Sequence, residues 1–125
     1  MAQPIRNCVG SVFLHVTDME RAIDWYSRLF GVPSGDTSHE GLIYEVPTDG
    51  DTGLILDGHA HAGGEWTPPP TRPACMLAAD DIHAAHQFAL KHATDVSEIE
   101  DIGSVSVFQL ADPDGNRLVV FARND

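Results

Sequence analysis

Three side chains of types that bind metal ions in many proteins lie close together in the sequence, at Asp57, His59 and His61. Alternate residues of an extended strand point to the same side, so these carboxylate and imidazole groups could converge on one divalent cation. His39 is a further candidate ligand for such a site. The competing interpretation is a solvated polar strand end, because the residues that follow are rich in glycine and proline and indicate a surface connection.

The elements that must position these side chains follow a regular order. The segment 8–16 is predicted as a strand, and Asp18 then caps a helix that has an apolar stripe at helical spacing and stops at Gly31. A short edge strand is expected at 34–38, followed by strands at 41–46 and 54–57, which a tight connection makes antiparallel. A long connection, 58–73, separates these elements from the rest of the chain.

The remainder of the chain repeats this order. A strand is predicted at 74–79, Asp81 caps a second helix, and three strands are predicted at 96–99, 105–110 and 117–122. Aligning Asp18 with Asp81 also places Leu56 on Val119. Because each half alone leaves one face of its sheet uncovered, we expect the two halves to curve around a shared space. That space is the natural ligand site.

Two stretches of sequence carry a resemblance to a known family. One is Val16-Thr-Asp-Met-Glu-Arg-Ala-Ile-Asp-Trp-Tyr26 with Leu29-Phe-Gly31, and the other is Asp112-Pro-Asp-Gly-Asn116. With the order of elements, they resemble the vicinal oxygen chelate superfamily, which includes glyoxalase I, extradiol dioxygenases, fosfomycin-modifying enzymes and metal-free bleomycin-binding proteins. The resemblance implies an α+β fold of two βαβββ modules forming a cup, often completed by a dimer. We expect one domain, 1–125, with module one at 5–59, a linker at 60–72 and module two at 73–123.

The family's metal enzymes carry a histidine or glutamate at matched positions of the two modules. In this sequence those positions are Ser11, Leu56, Ala74 and Val119. Apart from the serine hydroxyl, none supplies an oxygen or nitrogen donor of the kind that a divalent cation takes. A register slip of one residue would put Asp57 in place of Leu56 and still leave one carboxylate without partners. We therefore expect neither a metal ion nor another cofactor in the cup.

The cup is expected to be apolar, with Leu54 and Leu56 facing inward and few polar groups. His15 is either a hydrogen-bonded core residue or an acid/base group, and Arg117 either holds a ligand carboxylate or pairs with a surface aspartate. Trp66 is either a lid over the cup or an incidental contact. The predicted ligand-binding residues are Ser11, Phe13, His15, Tyr44, Leu56, Trp66, Met76, Arg117, Val119 and Phe121.

Composition restricts the classes of partner. A formal net charge of −12 over 125 residues argues against nucleic acid and anionic membranes, whose phosphates attract basic surfaces. No apolar run approaches the about 20 residues that span a bilayer, and the N-terminus lacks the apolar core of a signal peptide, so a cytosolic protein is expected. Cys8 and Cys75 are expected to be buried, whereas His83, His86 and His92 are expected on the surface.

These observations favour a metal-independent small-molecule binding protein that is a homodimer and holds a hydrophobic or planar ligand. The acidic chain would attract a cationic ligand, although solubility alone explains the charge. The alternative is a glyoxalase- or dioxygenase-like enzyme with a relocated metal site that uses His15 or the cluster of Asp57, His59 and His61. A third hypothesis is metal-free catalysis with His15 as the acid/base residue.

Overall fold

The computed structural model describes residues 4–59, 68–69 and 72–125. Within these residues the chain forms two sheets and two helices, which confirms the predicted α+β class. The first half contains β1 (Ser11–His15), α1 (Met19–Phe30), β2 (Ile43–Val46) and β3 (Gly53–Asp57). The second half contains β4 (Pro73–Ala78), α2 (Ile82–His92), β5 (Glu100–Asp101), β6 (Val105–Ala111) and β7 (Arg117–Arg123).

Both helices begin at an aspartate, as predicted. The carboxylate of Asp18 accepts a hydrogen bond from the Arg21 amide (3.1 Å), and that of Asp81 accepts one from the His83 amide (3.0 Å). These bonds satisfy amides that have no partner inside the helix. The first helix ends at Gly31, whose φ of 66° is the left-handed conformation that glycine adopts without steric cost.

The predicted edge strand at 34–38 is reduced to one bridge, between Ser38 and Ile43. Directly after Ser38 the backbone takes positive φ values at His39 (53°), Glu40 (60°) and Gly41 (84°). A run of left-handed residues turns the chain too tightly for a ladder to continue. The first sheet therefore has three strands, in the order β1-β3-β2.

The strand predicted at 96–99 is also irregular. Val96 forms an isolated bridge to Leu110, and the hydroxyl of Ser97 accepts a hydrogen bond from the Gln109 amide (2.7 Å). This side chain takes the place of a backbone acceptor, so the regular ladder is interrupted. Regular pairing with β6 begins only at β5, where Glu100 pairs with Val107. The second sheet has the order β4-β7-β6-β5.

The pairing of the strands decides which residues share a face of each sheet. β1 runs parallel to β3, and β4 runs parallel to β7, while β2 and β6 pair with these inner strands in antiparallel fashion. One face of each sheet packs against its helix and is buried. The buried residues form one cluster through both halves, which includes Leu14, Val16, Tyr26, Leu54, Leu56, Phe108, Leu110, Leu118 and Val120.

The side chains of Cys8, His86 and His92 differ in burial from what the sequence suggested. Cys8 is exposed, because it precedes β1 and has no strand to pack against, whereas Cys75 is half-buried. His86 and His92 were expected on the surface but are also half-buried. The Nε2 atom of His86 donates to the carbonyl of Ser97 (2.8 Å), and that of His92 donates to the carbonyl of Trp25 (2.9 Å). The second contact joins α2 to α1.

Candidate functional site

The face of each sheet that is not covered by a helix carries several large apolar side chains. We call this surface the open face. Phe13 on β1 and Met76 on β4 are its exposed large apolar members, with 54% and 57% of their surface accessible. Exposed apolar side chains grouped on one surface indicate a site for a small molecule or another protein surface. Its members in the two sheets include Ser11, Phe13, His15, Glu45, Ile55, Asp57, Met76, Gln109, Arg117, Val119 and Phe121.

Most of the predicted ligand-binding residues lie on this open face. Pairing in the two sheets places Ser11, Phe13, His15, Met76, Arg117, Val119 and Phe121 there. Their alternation with buried neighbours such as Leu14 and Leu118 confirms the parity read from the sequence. Two further residues of interest, Trp66 and His61, lie outside the described residues.

The predicted inward positions of Leu54, Leu56 and Tyr44 are wrong. Leu56 pairs with Leu14 and with Tyr44, and all three are almost fully buried on the helix-covered face. The hydroxyl of Tyr44 accepts a hydrogen bond from the Gly35 amide (2.9 Å), so its polar tip is used within the fold. The error arose because β3 is apolar on both faces, so that its sequence alone does not show which side is covered.

The same pairing corrects one of the four family metal positions. Met76 precedes the capping Asp81 by the same number of residues as Phe13 precedes the capping Asp18. Met76 pairs with Val119 and Phe13 pairs with Ile55, so these two pairs are equivalent. Ile55 therefore replaces Leu56 as the repeat partner of Val119. The positions at which the resemblance expects metal ligands thus become Ser11, Ile55, Ala74 and Val119, and only the serine carries a polar side-chain atom. The methyl, sec-butyl and isopropyl side chains of the other three do not coordinate a metal ion.

A cluster of polar side chains lies at one end of the first sheet. His15 pairs with Asp57, and the Asp57 carboxylate accepts hydrogen bonds from the His59 amide (2.8 Å) and from the Nδ1 atom of the His59 ring (2.9 Å). Burial raises the pKa of Asp57, but its bonds to His59 outweigh this effect, so the net pKa is lowered. Within the described residues, no three side chains from histidine, cysteine, aspartate and glutamate are grouped to hold a metal ion.

Arg117 reaches the open face but is already paired there. Its Nε atom donates to the side chain of Gln109 (3.0 Å), and its Nη1 atom donates to the Asp95 carboxylate (2.9 Å). Of the two roles considered for this residue, the contact with a surface aspartate is the one observed. A ligand carboxylate would have to displace Asp95 in order to bind the guanidinium group.

A buried polar network ties the two halves together behind this face. The hydroxyl of Tyr26 on α1 donates to the Asp112 carboxylate (2.7 Å), which also accepts hydrogen bonds from the amide and the side chain of Asn116 (both 2.8 Å). The Asn116 side chain donates in turn to the carbonyl of His15 (2.9 Å). Burial, followed by the charge of Asp112, raises the pKa of Tyr26 strongly, and burial also raises the pKa of Asp112.

A second carboxylate in the same turn strengthens this junction. Asp114 accepts hydrogen bonds from the Thr17 amide (3.2 Å), from the Thr17 hydroxyl and from the Arg21 guanidinium group (3.2 Å). The sequence marked Asp112-Pro-Asp-Gly-Asn116 as a turn and as a family feature. It did not show that the carboxylates of this turn bind the first half, because such a contact depends on how the halves meet.

The fold agrees with known structures. The antibiotic-binding protein TnmS3 from Streptomyces sp. CB03234 superposes with a TM-score of 0.74 at 22% identity, over 98% of this chain and 100% of that one. The oxidase ChaP-H1 gives 0.71 at 17% identity, over 94% and 97%. A superfamily member from Sphaerobacter thermophilus gives 0.73 at 20% identity, over 94% and 98%. At these identities the likeness establishes the fold alone.

Sequence comparison assigns the chain to a family. No curated protein sequence matches it. No helix in the described part of the chain is long and apolar enough to cross a membrane. The sequence profile of the Glyoxalase/Bleomycin resistance protein/Dioxygenase superfamily matches residues 9–120, which is nearly the whole chain. The chain therefore belongs to the Glyoxalase/Bleomycin resistance protein/Dioxygenase superfamily.

Proposed function

We propose that this protein binds a hydrophobic or planar small molecule on its open face and does so without a metal ion. One observation carries the proposal. The open face presents exposed apolar side chains at Phe13 and Met76, and two positions there at which the resemblance expects metal ligands carry Ile55 and Val119. Such a surface gains free energy by burying apolar area, whereas these two alkyl side chains offer a metal ion no ligand atom.

The proposed ligand is organic and, where it carries a charge, cationic. The chain has a formal net charge of −12, which raises the local concentration of cations around the molecule. Arg117, on the open face, is already paired with Asp95, so an anionic ligand would have to compete with that carboxylate for the guanidinium group. TnmS3, which has the same fold, is named as an antibiotic-binding protein, and a basic antibiotic has the chemistry that this surface favours.

The protein is further proposed to act as a homodimer. About half of the surface of Phe13 and Met76 is accessible in the single chain. A second copy placed against the open face would enclose a ligand on both sides and exclude water from the apolar contacts. Light scattering coupled to size exclusion tests this part, and a monomer at all concentrations up to the millimolar range contradicts it.

An enzymatic function is the alternative that a specific observation favours. Asp57 orients the ring of His59 through Nδ1, and His15 lies beside Asp57 at the edge of the open face. An imidazole held in this way leaves its Nε2 atom free to accept a proton or bind a metal ion. The fold neighbour ChaP-H1 is named as an oxidase, so the same fold also serves catalysis.

Binding is tested by thermal shift and calorimetry against a library of aromatic cations, neutral aromatics and aromatic anions. A ligand that binds the folded state raises the melting temperature by mass action. The variant Phe13→Ala removes an exposed apolar contact and should weaken binding about 10-fold, because burial of an aromatic side chain contributes on the order of 1–3 kcal/mol. Leu90→Ala, which removes an exposed apolar side chain from α2, is the matched control.

Two results distinguish the binder from the enzyme. Elemental analysis of protein purified without a histidine tag should show no stoichiometric zinc, nickel, manganese or iron. A tightly held metal ion that is lost in His59→Ala would refute the metal-free proposal. Turnover of an identified ligand that disappears in His15→Ala, with binding retained, would assign the acid/base role to His15 and replace the binding function by catalysis.

A further inference from the structure

The two sheets meet along a seam whose two ends differ. At one end the turn 112–116 fills the space between the halves: Tyr26 and Asn116 both bond to Asp112, and the Asn116 side chain donates to the carbonyl of His15. The edge strands β1 and β4 border the other end. There the structure has a cleft with a volume of about 580 Å³, which we call the seam cleft.

The repeat explains why this end stays open. Counted from the equivalent strand residues Ile55 and Val119, Thr48 stands where the second half has Asp112, and Thr52 stands where it has Asn116. The two short hydroxyl side chains cannot fill the space that the larger Asp112 and Asn116 side chains occupy at the closed end.

The lining of the seam cleft combines an apolar floor with an acidic rim. Its floor includes Val12, Phe30 and Leu54 from the first half and Leu77 from the second half. Asp49 and Asp51 stand in the turn at its mouth and are exposed. Among the described residues that line the cleft, none is lysine, arginine or histidine. The cleft therefore favours a molecule with an apolar body and a positive charge.

The rim is held in place by hydrogen bonds. The Thr48 hydroxyl donates to the carbonyl of Thr52 (3.2 Å), and the Thr52 hydroxyl donates to the carbonyl of Val9 (3.2 Å). The Gly53 amide donates to the carbonyl of Gly10 (2.8 Å). These contacts fix the acidic turn to the segment before β1. A ligand would thus meet a mouth that is already formed, which reduces the entropy lost on binding.

We propose that the seam cleft is a second binding site, which meets the open face at Met76 and takes amphiphilic cations: an aromatic or aliphatic body with an amine or quaternary ammonium group. The apolar body lies on Phe30, Leu54 and Leu77, and the cation faces Asp49 and Asp51. The site is distinct because Val12 and Leu54 belong to the helix-covered face. Of the open-face residues, Met76 borders the cleft, whereas Phe13 and Val119 do not line it.

The test uses three compounds with one body and different charge: 4-phenylbutylamine, 4-phenylbutanol and 4-phenylbutyrate. Amide chemical shifts of the isotope-labelled protein locate each compound, and calorimetry gives its affinity. We expect the amine to change the amide chemical shifts of Gly50, Gly53 and Leu77 and to leave those of Phe13 and Val119 unchanged. Two exposed carboxylates should make the amine bind about 5-fold more tightly than the alcohol at low salt, and the butyrate more weakly still.

The double variant Asp49→Asn/Asp51→Asn should bind the amine and the alcohol equally. Its matched control, Asp36→Asn/Glu98→Gln, changes the net charge equally at exposed residues that do not line the cleft, and should keep the preference for the amine. Both double variants alter exposed residues only, so their folding is not at risk. Leu77→Trp, which fills the cleft, should abolish binding of the amine and the alcohol.

The proposal is overturned if the alcohol or the butyrate binds as tightly as the amine, or if no compound shifts Gly50 and Gly53. Shifts confined to Phe13 and Val119 would also overturn it, and would instead support the ligand site on the open face. Conversely, amine binding at the cleft together with no ligand on the open face would leave this site standing and contradict the proposed function. The two proposals therefore fail in different ways.

Discussion

The hydroxyl of Tyr26 donates a 2.7 Å hydrogen bond to the carboxylate of Asp112, which joins the helix of the first half to the turn before the last strand of the second. Both groups are buried, and burial raises the pKa of each. The tyrosine is therefore a neutral donor, and Asp112 is a buried acceptor whose remaining bonds come from its own turn. The closed end of the seam depends on this pair.

Tyr26→Phe should lower the free energy of unfolding by about 1–3 kcal/mol, because it leaves a buried carboxylate with one hydrogen bond fewer. Urea denaturation followed by circular dichroism measures the change. Tyr44→Phe is the control. The Tyr44 hydroxyl accepts a hydrogen bond from the Gly35 amide within the first half, and this bond is only partly buried, so a loss of about 0.5–1 kcal/mol in the free energy of unfolding is expected. An equal or larger loss in Tyr44→Phe would contradict the importance of the junction.

The neighbours Ile55 and Leu56 test the corrected register of β3. Leu56 is fully buried under the helix, so Leu56→Ala should cost about 2–5 kcal/mol of stability. Ile55 lies on the open face and is half-buried, so Ile55→Ala should cost less stability and should weaken the ligand bound there. Equilibrium unfolding and ligand titration give the two quantities. The reverse pattern, with ligand affinity sensitive to Leu56, would restore the register expected from the sequence.

Val119→Glu should not create a zinc site. The substitution restores one carboxylate at a family metal position, but Ile55 and Ala74 still offer no ligand atom, and Ser11 offers only a hydroxyl group. Zinc sites need at least three protein ligands for stable binding. Calorimetric titration with zinc should give the same weak response as the parent protein. Stoichiometric binding at micromolar concentration would show that other side chains complete the site.

The half-buried His92 should make the protein less stable in mild acid. Burial lowers the pKa of this imidazole in the folded state below its ordinary value of 6.5. As the pH falls through 6.5, the unfolded chain takes up a proton that the folded protein does not yet bind, so the free energy of unfolding decreases. At higher pH both states are neutral and this loss is absent.

Urea denaturation between pH 5 and 7.5 measures the effect of His92. His92→Gln keeps a donor for the Trp25 carbonyl but does not titrate, so the decrease in stability toward pH 5 should be smaller than in the parent. His83→Gln, which replaces an exposed histidine of the same helix, controls for the loss of a histidine from α2. Identical pH dependence in the parent and in His92→Gln would exclude this role.

Much of the fold follows from local patterns. The capping aspartates Asp18 and Asp81, the helical spacing that follows them and the stop at Gly31 predict α1 and α2 correctly. The alternation of side chains along β1 and β7 also identifies the residues of the open face. Such patterns are readable because a capped helix or an alternating strand is specified by residues close together in the chain.

What the sequence determined by itself is therefore the class of fold and the family. Only the tertiary structure decided that Ile55 rather than Leu56 matches Val119, and that Tyr26 meets Asp112 at the closed end of the seam. The reason is physical. Strand β3 carries aliphatic side chains on both faces, and a seam joins residues far apart in the chain, so packing of the halves makes the choice.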